Sequence, residues 1–139
     1  MPFPPEVEAF VQSAIRLPHS RLRQIDRQWD RLQVDRRVVS EVVQGNNEIR
    51  AQMGPLRDYI TITARMAEAT GVAETGPSSM LVEEVVEAIL PAARAVLMRE
   101  ILENSTMPAR SAAFVALTAP FRDILPGPEG QAGREGREA

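Results

Sequence analysis

Ser20–Gln44 reads SRLRQIDRQWDRLQVDRRVVSEVVQ, and how this stretch is read decides the fold. Stepping from Leu22 by threes and fours gives Leu22, Ile25, Trp29, Leu32, Arg36, Val39 and Val43, of which only Arg36 is not apolar. At about 3.6 residues per turn these side chains fall on one side of a helix, and at about 1.5 Å per residue the rod would be nearly 40 Å long. Such a stripe needs partners to cover it. Beyond Val34, the valines Val38, Val39, Val42 and Val43 spread around the helix, so the second half is expected to be the more deeply buried.

The rest of the composition narrows the possibilities. The chain has 139 residues, enough for one core that buries roughly two thirds of the surface the unfolded chain exposes. Its apolar share of 44% and charged share of 25% are those of an ordinary folded domain. Cysteine is absent, which excludes disulfides, thiolate nucleophiles and cysteine metal sites. All 16 basic residues are arginine, so lysine-dependent Schiff-base and P-loop chemistry are excluded too. No run approaches the roughly 20 apolar residues of a membrane span. The N-terminus, with Pro2, Pro4, Pro5, Glu6 and Glu8, does not resemble a secretory signal, and a cytoplasmic protein is expected.

Taken in order, Glu6–Leu17 is a short amphipathic helix that Pro18 stops, and Ser20 is placed to cap the long one. Gly45–Asn46–Asn47 is expected to end that helix, with continuation through Gly45 as the alternative, and Gly54–Pro55 is the firmer break. A third helix follows from Pro55 to Gly71. After a loop over Val72–Ser79, capped by Ser78 or Ser79, the apolar Met80–Glu103 forms a fourth. Pro91 is expected to kink it or split it in two. Pro108 opens a last helix, with Asn104–Met107 as the turn before it. No segment alternates with period two. The expectation is an all-α single-domain bundle of about five helices over residues 1–125, with one long central helix and a disordered Gly/Pro-rich tail over 126–139.

Several constellations carry chemistry on paper. Arg16, Arg21, Arg23, Arg27, Arg31, Arg36 and Arg37 outnumber Asp26, Asp30 and Asp35 and would make a phosphate-tracking stripe. The chain is acidic overall and offers no stacking aromatic there, so a solvated face laced by pairs such as Arg23–Asp26 and Arg27–Asp30 is favoured and nucleic acid is not expected. Glu68–Glu103 carries the complementary charge, with seven glutamates against Arg94 and Arg99. Glu83, Glu84 and Glu87 lack the Glu-x-x-His partner of a di-metal bundle, and neither a metal nor a cofactor is expected. His19, the only histidine, has no third orienting group and reads as a turn residue. Trp29 is either core or interface anchor.

No catalytic signature accompanies the long stripe, so the first expectation is a non-enzymatic helical protein working through protein contacts. It would be a homo-oligomer or a subunit of a small complex. Surplus apolar surface on Val34–Val43 and Met80–Ile101 motivates it, and Trp29, Arg36, Val39 and Val43 are the interface candidates. The alternative is a bundle binding a small apolar ligand among soft side chains, with Met53, Tyr59, Met66 and Met98 beside Trp29 as the candidate pocket.

Overall fold

The computed structural model describes residues 3–102 and 108–125, and for 33–36 and 108–111 the backbone alone. The expected tail over 126–139 and the turn at Asn104–Met107 lie outside the described residues. The chain is all-helical: α1 Pro5–Ile15, α2 His19–Gln28, a 3-10 turn Trp29–Leu32, α3 Gln33–Gly45, α4 Asn47–Ala69, α5 Val82–Ile101 and α6 Pro108–Thr118, closed by a 3-10 turn Ala119–Phe121. No strand occurs among the described residues.

The centre of the bundle is α5 rather than the Ser20–Gln44 stretch. It packs against α1, α2, α3, α4 and α6, and Val85, Val86, Ala88 to Ala93 and Ala95 to Met98 are all buried. An all-round apolar helix is stable only when enclosed on every side, and here the neighbours are supplied within the chain. Pro91 neither splits α5 nor ends it. It deprives the Glu87 carbonyl of its backbone donor, yet the packing of Ala88 to Ala93 and Ala95 to Met98 keeps the helical path.

The quoted stretch is helical but not one rod. The 3-10 turn at Trp29–Leu32 separates α2 from α3, although no glycine or proline lies near it. The two halves follow different partners: α2 lies on α5, and α3 lies chiefly on α6. A tighter turn re-aims the axis while keeping the stripe inward, for Leu22, Ile25, Trp29, Val39 and Val43 are buried and Leu32 is half-buried. Arg36 falls among the residues whose side chains are not described.

Helix ends are set by other groups than the sequence suggests. The N-cap position of α2 is Pro18 rather than Ser20, without a side-chain cap. Gly45 is the last residue of α3, and Asn46 caps α4 by accepting from the Ile49 N–H at 3.0 Å. Gly54–Pro55 is no break: α4 runs through both. Gly54 and Pro55 face solvent while Ile49, Leu56 and Ile60 bury the opposite side. The carbonyl of Ala51 that Pro55 leaves without a helical partner is on that exposed side, where water can serve it.

At the other end of α4, Gly71 at φ 76° closes a Schellman motif: Val72 N–H donates to the Ala67 carbonyl at 2.9 Å and Gly71 N–H to Glu68 at 3.2 Å. The cap of α5 is not Ser78 or Ser79. Leu81 takes that position, and its N–H donates to Glu84 Oε1 at 2.9 Å.

Candidate functional site

A cleft of about 500 Å³ opens where α3, α4, α5 and α6 meet. Its floor is apolar, from Val39 and Val43 of α3, Met53 of α4, Pro91 of α5 and Leu117 of α6. Arg37, Ser40 and Gln44 follow one another at helical-neighbour spacing along α3 and form one wall, while Arg50 and Arg94 enter from α4 and α5. The volume falls within the roughly 300–1,000 Å³ of small-molecule sites, and an apolar floor with a few polar groups at the wall is their common build.

Local structure explains why these residues meet. Asn46 is extended, at φ −131° and ψ 110°, so α3 and α4 are joined through a single non-helical residue. That short link keeps Arg50, in the first turns of α4, close to the last turns of α3. Its Nη2 donates to Asn47 Oδ1 at 2.5 Å, a neutral acceptor that orients the guanidinium without neutralising it. Arg94 is half-buried in the apolar run of α5, between buried Ala93 and Ala95. Among the described residues that line it, none is acidic.

No protein-family model, curated protein or solved structure matches this chain. The site is therefore read from its own geometry.

Of the ligand-pocket candidates, Met53 lines this cleft. Tyr59 and Met66 line a separate shallow groove of about 340 Å³ between α1 and α4, with Gln12, Ile15, Ile62 and Val72. Met98 is buried in the core and lines neither. The four are thus not one pocket. Of the interface candidates, Trp29, Val39 and Val43 are buried within the chain's own core, the two valines also forming cleft floor.

Trp29 Nε1 donates to the Ala88 carbonyl at 2.9 Å. The sole histidine is structural: His19 is 1% exposed, its Nδ1 accepts from the Met80 N–H at 2.9 Å, and its own N–H donates to Glu74 Oε1 at 3.1 Å. The bonds tie the start of α2 to two points, Glu74 and Met80, of the connection before α5.

Glu87 of α5 pairs with Arg57 of α4 at 2.8 Å, Arg21 with Asp123 at 2.6 Å, and Arg23 reaches the Ser78 carbonyl. Among the described residues no three potential metal ligands come together, and no helix is long and apolar enough to cross a membrane.

Sequence reasoning counted Arg37 in a solvated face and missed Arg50 and Arg94 as site residues. Residues 37, 50 and 94 belong to three helices and share no spacing. The one legible signal was Arg94, a charge within the longest apolar helix.

Proposed function

We propose that the chain is a non-enzymatic binding protein that takes a small molecule with an apolar body into the cleft between α3, α4, α5 and α6. The observation that carries this reading is the cleft itself, its floor of Val39, Val43, Met53, Pro91 and Leu117 reached from solvent. Among the described lining residues the Ser40 hydroxyl has neither histidine nor carboxylate to take its proton, so the lining lends catalysis no support. The uncharged fluorophore N-phenyl-1-naphthylamine is a suitable probe. It should bind saturably at one equivalent, and Ser40→Trp, at an exposed wall position, should abolish binding by filling the cleft. Absence of saturable binding, or binding that Ser40→Trp leaves untouched, refutes the reading.

A second reading, self-association, is favoured by a different observation. The surplus apolar surface expected on Met80–Ile101 is consumed inside the bundle, but Ile62 at 57% and Met66 at 62% exposure stand one turn apart on the outer face of α4. With Tyr59 and Val72 they form an apolar strip along the α1–α4 groove. Sedimentation equilibrium of the wild type and of Met66→Glu tests it. A concentration-dependent dimer that the variant dissociates supports association, and a monomer at high micromolar concentration excludes it.

A further inference from the structure

Resting on the self-association reading above, we propose that two copies of the chain pair through the outer face of α4, antiparallel about a two-fold axis at Ile62, with Asp58 of each copy meeting Arg65 of the other. Asp58, Ile62 and Arg65 stand four and three positions apart, so they share one face of α4, and all three are exposed. The face has two unlike edges. At about 100° per residue, Asp58 and Arg65 fall together on one side of Ile62, and Tyr59 and Met66 fall together on the other. Tyr59 and Met66 run into the α1–α4 groove, which Ile15 and Val72 also line.

A two-fold axis brings the same patch of both copies together, so a face used in this way must be complementary to itself. Reversing the direction of this face gives that match, because each edge of an antiparallel pair meets the same edge of the other helix. Asp58 lies about 6 Å before Ile62 along the helix and Arg65 about 4.5 Å after it, so reversal lays carboxylate and guanidinium across from one another twice. On the other edge, Tyr59 comes level with Met66 of the second copy, an aromatic ring beside a thioether. Ile62 meets itself at the centre. Pro55 and Ala69, seven positions before and after Ile62 and both exposed, come opposite each other, and their small side chains let the two helices approach. A parallel pair loses the match: it turns the charged edge of one helix onto the apolar edge of the other, Asp58 against Tyr59 and Arg65 against Met66. Arg57, by contrast, serves the bundle itself, paired with Glu87 at 2.8 Å. A contact of one helix per copy belongs to the small end of specific interfaces, so the dimer should come apart within the micromolar range.

Charge exchange tests this arrangement apart from association itself. Asp58→Arg and Arg65→Asp, both at exposed positions, each set like charges across the axis, so in sedimentation equilibrium of the full chain at low salt each should weaken the dimer about tenfold or more. Mixing the two variants in equal amounts should restore the dimer, because two bases on one copy then face two acids on the other. Both exchanges made in one chain should restore it as well. Raising sodium chloride should weaken the wild-type dimer. The chain has no cysteine, so a single introduced thiol reports direction. On mild oxidation Ile62→Cys should link to itself across the axis, and Ala69→Cys, whose two copies would stand about 21 Å apart along the pair, should not. A dimer that both charge variants leave intact, or that neither the mixture nor the double exchange restores, overturns the arrangement and leaves self-association standing. Self-linking of Ala69→Cys overturns it in the same way. A wild type that stays monomeric to high micromolar concentration overturns the arrangement and self-association together.

Discussion

The indole of Trp29 hydrogen-bonds to the carbonyl of Ala88, 2.9 Å away, in the turn of α5 that Pro91 deprives of a backbone donor. Trp29 opens the 3-10 turn between α2 and α3, so the point where the quoted stretch bends is fastened to the point where the central helix is weakest. Trp29→Phe keeps most of the apolar contact and removes the donor. The variant should lose about 1–3 kcal/mol, from a buried carbonyl losing a partner and from the smaller ring, seen as a lower urea midpoint at unchanged slope.

His19 makes a second fastening, and its acceptor atom is what matters. His19→Leu leaves the buried Met80 N–H without its Nδ1 partner and should lower the melting temperature markedly, at a cost of about 1–3 kcal/mol for the unsatisfied amide. His19→Asn offers an oxygen near the Nδ1 position and should recover part of that loss. Equal melting temperatures for the two variants would show that shape, not the hydrogen bond, sets the requirement.

Arg21 ties α2 to the C-terminal turn, donating to Asp123 at 2.6 Å and to the Pro120 carbonyl at 2.5 Å. The hydrogen bond from Arg21 holds the Asp123 carboxyl below its ordinary value of 3.8, and the guanidinium charge adds to this. A carboxylate depressed in the folded state contributes stability that is present above its unfolded value and lost as pH falls through the folded one. The melting-temperature gap between wild type and Asp123→Asn should therefore be constant near neutrality and close below about pH 4. Both groups are partly exposed, so the gap should correspond to less than about 1 kcal/mol and diminish in high salt.

Two glycines should respond oppositely to alanine. Gly45 is the exposed last residue of α3 with open space where a Cβ would stand, and Gly45→Ala should stabilise by about 0.5 kcal/mol. Gly71 also has room, but its φ of +76° strains an L side chain, and Gly71→Ala should destabilise by about 1 kcal/mol. Paired thermal denaturation curves measure both signs.

Legibility in the sequence followed the range of the forces involved. The stripe marked buried positions correctly at Leu22, Ile25, Trp29, Val39 and Val43, because inward orientation depends on helical period and apolarity alone. The stops at Pro18 and Gly71 were readable for the same local reason, since each acts on neighbouring dihedral angles. Pro55 and Pro91 misled because a proline's cost is local while its tolerance depends on surroundings: solvent on the Ala51 side of α4, and the packing of Ala88 to Met98 in α5. The bend at Trp29–Leu32 had no signal, as its cause is the separate demands of α5 and α6.

The sequence alone settled that this chain is helical, where its apolar faces lie, and that it lacks thiol and lysine chemistry, because those follow from residue type and spacing within a few turns. Which helix became the centre, and which arginines met around a cleft, was decided only by tertiary packing. Arg37, Arg50 and Arg94 are separated by 13 and 44 positions, and no local preference brings them together. They meet because burying the broad apolar surface of α5 brings the other five helices around it, and the cleft is a space left between α5 and three of them, α3, α4 and α6.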